Sequence, residues 1–192
     1  MKQIKQDIIP LFSTPLILSS VDEDTEELHR YKDIEDYRVL ENIPNVKNIL
    51  LQKFIDILPD LGYDNEFMIS TSWFKKIENG SLDRLHYHKN SFYSGVYYFD
   101  EYDENSGGIE FINPLLTNAD YQITPKNPNQ YNIIYAQLPI KRKKLILFPS
   151  FLQHRILYHN SGNNRYSLAF NIIPLGKYGT MDSSVDTSWI YK

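Results

Sequence analysis

The sequence predicts a mostly β fold, a sandwich or jelly roll with helices packed on one face. Segment 22–58 has helical periodicity, whereas short runs rich in β-branched and aromatic residues take over after residue 67. Turn-forming segments rich in Gly, Asn, Asp and Pro separate at least seven such runs. Hydrophobic residues make up 42% of the 192 residues, which is enough for one domain with a substantial core.

The N-terminal stretch IIPLFSTPLIL, residues 8–18, is apolar but contains Pro10 and Pro15. Proline lacks a backbone donor, so this stretch predicts an edge strand that pairs on one side. It is shorter than the ~18–20 apolar residues that cross a bilayer. Its flanks do not fit a signal peptide, and we expect no membrane association.

The helical region has two parts. Residues 22–40, DEDTEELHRYKDIEDYRVL, are acidic with sparse apolar positions, whereas NVKNILLQKFIDILPDLGY has a continuous apolar face and ends at Pro59 and Gly62. We predict that both parts form a helical layer against the β structure. The apolar face consists of Val46, Ile49, Leu50, Phe54 and Ile57.

The predicted strands all follow residue 66. The basic run KRKK, residues 141–144, precedes one of them and predicts a solvated turn, and residues 176–192 predict an irregular tail. The strand-like runs are FMISTSWFKKI, FYSGVYYF, GGIEFI, NQYNIIYAQL, KLILFPS, HRILYH and RYSLAFNII.

The composition excludes several classes of function. The net charge of −4 argues against general nucleic-acid binding, which needs a basic surface. The chain has no cysteine, which rules out disulfides, thiolate zinc sites and cysteine nucleophiles. Such a chain is compatible with a reducing cytosol, and we expect a cytoplasmic protein. Any metal must be held by His, Asp or Glu.

Two histidines lie one residue apart in RLHYHKNSFYSGVYYF, residues 84–99. Side chains alternate along an extended chain, so His86 and His88 are predicted to point to the same side. A third histidine, His154, follows the apolar run LILFPS. Two imidazoles from one segment and a third from a later one could form a metal site.

The run after His154 begins RYSLAFN and predicts a strand with a polar face. Arg165, Ser167, Ala169 and Asn171 share this face because each follows the last by two residues. The apolar context favours burial of Arg165. Asn171 fits either a strand-end cap or a contact of the site.

The ordered set of motifs resembles the Fe(II)/2-oxoglutarate-dependent oxygenases, in particular prolyl-hydroxylase-like members and a bacterial and phage subgroup. In that superfamily an early His-x-Asp/Glu pair and a late His bind iron, and an Arg-x-Ser pair about ten residues later holds 2-oxoglutarate. Here HYH, residues 86–88, stands at the first position, His154 at the second, and Arg165 with Ser167 at the third. SGVYYF, DEYDEN and GGIEF follow in the order of prolyl-hydroxylase-like members. The resemblance covers residues 67–175.

The resemblance implies a double-stranded β-helix and a 2-oxoglutarate-dependent dioxygenase. Its core would be residues 67–175 of a single domain, with residues 1–66 as an N-terminal strand and helical layer and residues 176–192 as a tail. Its partners would be O2 and a substrate that the sequence does not identify, with hydroxylation of a peptide, an amino acid or a small metabolite as the reaction. The implied site binds Fe(II) through His86, His88 and His154, and 2-oxoglutarate through Arg165, Ser167 and Tyr98.

One position departs from the family pattern, because His88 stands where Asp or Glu is expected. Three arrangements are open: His88 is the third ligand, Glu110 in GGIEF supplies a carboxylate, or only His86 and His154 bind. We expect the first, since histidine is itself a good ligand for iron and needs no unusual geometry here.

Two other classes of protein compete with the oxygenase. A cupin-like metalloprotein, such as a thiol dioxygenase or an isomerase, also uses His-x-His and a later His. Cupins usually carry a Glu shortly after His-x-His, however, and KNSFYSG has none. The second competitor is a non-catalytic jelly-roll binding module, which would bind neither iron nor 2-oxoglutarate.

Overall fold

A computed structural model of the protein describes residues 8–116 and 123–191, so residues 1–7 of the predicted N-terminal layer and Lys192 of the tail lie outside the described residues. Within them the chain is mostly β, as predicted. The helices are α1 Pro44–Ile55 and α2 Leu58–Leu61, with 3-10 turns at Glu26–Arg30, Val39–Asn42, Met181–Ser183 and Ser188–Tyr191. The strands are β1 Ile17–Ser20, β2 Glu66–Ile77, β3 Tyr93–Tyr98, β4 Ile109–Ile112, β5 Tyr135–Leu138, β6 Lys144–Pro149, β7 His154–Ile156, β8 Arg165–Leu175, β9 Lys177–Tyr178 and β10 Val185–Asp186.

Two antiparallel sheets face each other, which confirms the predicted architecture. The large sheet has the order β1-β6-β3-β8-β2 and the small one β5-β4-β7. Side chains of both sheets meet in one buried cluster, in which Val96 and Phe148 of the large sheet pack with Ile109 and Phe111 of the small one. The candidate site residues lie at one end of this inter-sheet layer.

The other face of the large sheet packs against the helices. Alternate residues of β3, β6 and β8, among them Tyr97, Leu147 and Phe170, enter a second buried cluster with Leu50 and Phe54 of α1. Because the central strands are buried on both faces, their side-chain alternation divides the residues strictly between the helix layer and the inter-sheet layer.

The predicted apolar helix is confirmed and the predicted acidic helix is wrong. Helix α1 begins with Pro44 in its first turn, where a missing N–H does no harm, and α2 ends at Gly62 with φ +76°. Residues 22–43 form only two 3-10 turns. The side chains of Asp24 and Asp36 accept hydrogen bonds from backbone N–H groups two residues on, which competes with helix formation.

Several boundaries differ from the prediction. The N-terminal edge strand forms after both prolines, at Ile17–Ser20, and pairs only with β6. The run NQYNIIYAQL is a strand only at Tyr135–Leu138, and the tail is not wholly irregular because β9 and β10 form a hairpin. Within the described residues, no helix is long and apolar enough to cross a membrane.

Candidate metal centre and cosubstrate pocket

Backbone pairing brings His86 and His154 together. The N–H of His86 donates to the carbonyl of His154 at 3.0 Å, and the N–H of His154 donates back at 2.9 Å. Two residues later, the N–H of His88 donates to the carbonyl of Ser150 at 2.9 Å. The segment before β3 therefore runs antiparallel to the start of β7, and all three imidazoles emerge on the same side.

The three imidazoles form one compact group. Ring centroids are 4.5 Å apart for His86 and His154, 5.1 Å for His88 and His154, and 5.4 Å for His86 and His88. One ring nitrogen from each lies within 4.8 Å of the others. Three imidazole nitrogens at this spacing could hold a divalent first-row metal ion.

Hydrogen bonds to the Nδ1 atoms decide which nitrogen is available. His86 Nδ1 lies 2.9 Å from the carbonyl of Arg84, and His154 Nδ1 lies 2.9 Å from the carbonyl of Leu152. A carbonyl can only accept, so Nδ1 of each ring carries a proton, and Nε2 is the nitrogen that can offer a lone pair. The atom left for a metal is therefore Nε2.

Burial keeps two of these rings neutral. It lowers the pKa of His154 to about 3 and also lowers the pKa of His88. At neutral pH neither ring carries a proton that a metal ion would have to displace. The neighbouring imidazoles lower both pKa values further.

Glu110 faces away from the three histidines. It is only 3% exposed, but its carboxylate accepts hydrogen bonds from Arg155 Nε at 2.7 Å and Gln137 Nε2 at 2.6 Å. Its strand neighbour Phe111 pairs with His154 and points into the inter-sheet layer, so Glu110 lies on the outer face. This position argues against Glu110 as the carboxylate ligand.

Arg165 is a buried cation that has no counter-charge among the described residues. It is 3% exposed, and within the part of the chain that the structure describes none of its guanidinium nitrogens has a hydrogen-bond partner. Its Cζ lies 5.5 Å from the ring centre of Tyr98, whose buried hydroxyl is also unpartnered among these residues. Burial lowers the pKa of Arg165 and raises that of Tyr98 to about 12. Burial of an unpaired guanidinium costs free energy of folding unless an anion occupies the space beside it.

The strand face predicted for β8 connects this cation to the histidines. Ser167 and Ala169 line the same cavity as the three imidazoles, and Asn171 lies beside His88. A carboxylate at Arg165 and a metal ion at the imidazoles would therefore lie along one strand. These residues fit a metal ion together with an acidic cosubstrate.

Sequence reasoning missed several residues of the cavity, among them Trp73, Lys75 and Asp83. Trp73 and Lys75 reach it from β2, and Lys75 forms an ion pair of 2.8 Å with Asp83. The ring of Trp73 is 5.4 Å from that of His88. The alternation along β2 indicates only that Trp73 and Lys75 share one face of the strand. That this face borders the cavity depends on the pairing of Lys75 with Ser167.

A second cavity, larger than the one that the histidines line, has a volume of about 360 Å³. It lies between residues 9–16 and the β4–β5 region. Its described lining is apolar or uncharged and includes no histidine, acid or lysine. Its described residues therefore offer no histidine or carboxylate for proton transfer or metal binding.

Comparisons with known proteins agree with this geometry. The family model described as "Putative 2OG-Fe(II) oxygenase" matches residues 71–171, which include the three histidines, Arg165 and Ser167. No curated protein matches the sequence.

Solved structures with the same fold include HygX from Streptomyces hygroscopicus with iron bound, at 12% identity and a TM-score of 0.59 over 84% of this chain and 82% of that one. A Pseudomonas putida prolyl-4-hydroxylase is similar at 16% identity and a TM-score of 0.54, over 83% of this chain and 85% of that one. The likeness to an oxidoreductase of the 2OG-Fe(II) oxygenase family from Burkholderia pseudomallei is partial. It covers 60% of this chain and 49% of that one, at 12% identity and a TM-score of 0.44.

The likeness in fold identifies the two facing sheets as a double-stranded β-helix. The family model covers more than half of the sequence and spans β3, β4, β5, β6 and β7 and most of β2 and β8. This chain therefore belongs to the 2OG-Fe(II) oxygenase family.

Proposed function

We propose that this Fe(II)- and 2-oxoglutarate-dependent oxygenase is a hydroxylase whose metal is held by three neutral histidines. The proposed ligands are His86, His88 and His154. The proposed cosubstrate residues are Arg165, Ser167 and Tyr98. One observation carries the proposal: a buried guanidinium, without a counter-charge in the part of the chain that the structure describes, lies on the strand that also borders the three imidazoles.

Each residue has a distinct task in this arrangement. Arg165 would bind the distal carboxylate of 2-oxoglutarate through two parallel N–H donors, a geometry that a lysine cannot offer. Ser167, two residues along the same face, would add a hydroxyl donor, and the hydroxyl of Tyr98 would add another. Val96, Ile109 and Ile156 line the cavity and would exclude water from it.

Bound Fe(II) and 2-oxoglutarate would supply the activation of O2 for the oxidation of a substrate. The chain sets the charge of the centre: three neutral imidazoles leave the ion its full +2 charge, whereas a carboxylate ligand would reduce it to +1. This charge favours an anionic cosubstrate beside the histidines.

For the substrate we propose a chemical class rather than one compound. HygX has been crystallised with hygromycin B, and the Pseudomonas putida protein is a prolyl-4-hydroxylase. For this chain we propose a peptide, an amino acid or a small metabolite, with Trp73 and the Lys75–Asp83 pair at the cavity to contact its polar groups.

Nucleic acid and membranes are not proposed as partners. The single-domain division and the cytoplasmic location stay predictions.

An anaerobic Fe(II) titration with and without 2-oxoglutarate tests the function without knowledge of the substrate. We expect the weak visible metal-to-ligand charge-transfer band to develop only when both are present, at one iron per chain. Arg142→Ala is the control, because Arg142 lies on the surface and pairs with Glu26 and Glu101. It should leave the band unchanged. A wild-type protein that binds neither iron nor 2-oxoglutarate would overturn the proposal.

A further inference from the structure

The ring of His88 differs from the other two in what its Nδ1 contacts. His86 and His154 donate to backbone carbonyls, whereas His88 Nδ1 lies 2.7 Å from Asn171 Oδ1 and 2.8 Å from Ser94 Oγ. No backbone group therefore dictates which nitrogen of His88 carries the proton. Side chains decide it.

The amide of Asn171 is oriented by a neighbour on β2. Asn171 Nδ2 donates to Thr71 Oγ1 at 2.9 Å, which directs the amide oxygen toward His88. Thr71 reaches this place because β2 has a bulge between Ile69 and Thr71, after which Thr71 is the residue opposite Asn171. An amide oxygen accepts and cannot donate, so it requires a proton on His88 Nδ1.

A row of serine hydroxyls can accommodate a proton on His88 Nδ1. Ser91 donates to the carbonyl of Tyr93 at 2.9 Å, and Ser150 donates to Ser91 at 2.9 Å. Ser94 has a single hydrogen and lies 2.8 Å from Ser150 Oγ, Asn171 Oδ1 and His88 Nδ1. Because the amide oxygen of Asn171 requires the proton on His88 Nδ1, Ser94 donates to Ser150 or Asn171 and accepts from His88, whose Nε2 keeps its lone pair.

We propose that Asn171 is a positioning residue that fixes His88 as an Nε2 ligand and so makes a third imidazole usable where the family has a carboxylate. The inference rests on the proposed metal site. Asn171 is neutral, so it sets the tautomer without adding the negative charge that an aspartate there would bring. Its loss should act on metal affinity through His88 rather than on the fold.

The experiment compares isosteric and conservative changes. Asn171→Leu removes the acceptor by replacing the amide oxygen and nitrogen with two methyl groups, whereas Asn171→Asp keeps an acceptor. The matched control is Ser70→Ala, which removes a 3.4 Å hydrogen bond to the backbone carbonyl of residue 171 without touching His88. Co(II) affinity is measured by anaerobic titration, and the His88 tautomer by 15N NMR of the metal-free protein.

We expect Asn171→Leu to weaken Co(II) binding ~10–100-fold, the usual effect of losing a group that orients a metal ligand, and to populate the Nε2–H tautomer. Asn171→Asp and Ser70→Ala should keep the affinity and the Nδ1–H tautomer. Should the Leu variant not fold, Thr71→Val provides the second test, because it frees the amide to turn and should shift the tautomer in the same direction.

Unchanged affinity and unchanged tautomer in Asn171→Leu would overturn the inference, as would an Nε2–H tautomer of His88 in the wild type. A wild-type protein that binds no Co(II) would instead count against the proposed function. The tautomer measurement needs no metal and still decides the role of Asn171 in that case.

Discussion

The guanidinium of Arg165 is buried, and its Cζ lies 5.5 Å from the ring centre of Tyr98. Among the described residues it has no acid to neutralise it. His88, for its part, stands where a carboxylate is usual, and its ring contacts Asn171 rather than a backbone carbonyl. The proposed chemistry depends on these two residues, and each yields a prediction.

Arg165→Ala should weaken 2-oxoglutarate binding far more than iron binding. Removal of one partner of a buried charge pair typically costs ~3–5 kcal/mol, or a factor on the order of 10² to 10³ in affinity. Titration of 2-oxoglutarate into the iron-loaded variant measures the loss, with Arg142→Ala as the surface control. A variant that turns over 2-oxoglutarate at the wild-type KM would show that Arg165 is not the anchor.

His88→Ala and His88→Asp should differ in their affinity for the metal. The Ala variant leaves two imidazoles and should lose the metal, whereas the Asp variant recreates the common family triad and should retain it. Anaerobic Fe(II) titration of both variants measures the difference. A metal-bound structure with His88 turned to solvent would contradict this assignment.

At the scale of elements, β3 is confined between the helix layer and the inter-sheet layer. Tyr97 packs toward the helices, Val96 and Tyr98 pack toward the small sheet, and Gly95 lies beneath the ring of Phe170. A Cβ at Gly95 would come within 2.2 Å of Phe170 Cζ. Because Gly95 has no side chain, β3 and β8 can pair while the ring of Phe170 lies over Gly95.

Gly95→Ala should destabilise the protein by ~1–3 kcal/mol, because a methyl group added to a filled core forces its neighbours to shift. Urea denaturation measures the change. The double variant with Phe170→Leu should recover part of the loss relative to the sum of the two single changes. Strict additivity of the two substitutions would argue against a direct clash.

At the scale of the whole molecule, closure of the two sheets buries His154, which is 4% exposed. Burial lowers its folded-state pKa to about 3, whereas an unfolded histidine has a pKa of ~6.5. Between these values the unfolded chain binds a proton that the folded one does not. Stability should therefore be present above pH ~6.5 and decline as the pH falls below it.

The free energy of unfolding of the metal-free protein should fall by up to ~1.4 kcal/mol per pH unit from this residue between pH ~6.5 and ~5. This window lies above the usual range for carboxylates. The lowered pKa of His88 acts in the same direction. Denaturation across this range in the wild type and in His154→Gln gives the measurement, and an equally steep slope in the variant would contradict the prediction.

The alternation of side chains along the strands made much of the fold and of the candidate site predictable from the sequence. The two-residue period predicts a common face for Arg165, Ser167 and Ala169 and another for Val96 and Tyr98. In the structure Ser167 and Ala169 line the cavity and Arg165 lies over Tyr98, which lines it too. The acidic segment was predicted wrongly because aspartate side chains bind its backbone, a local competition that helical periodicity does not report.

By itself, then, the sequence determined the order of the chemical groups and the face of the strand on which each lies, because both are local properties of an extended chain. Only the tertiary structure decided which groups meet. The pairing of His86 with His154 joins residues far apart in the chain, as does the hydrogen bond between His88 and Asn171. The outward place of Glu110 depends on the register of β4 against β7, and the place of Thr71 depends on a bulge in β2. Such long-range registers arise from the packing of both sheets at once, which no local pattern encodes.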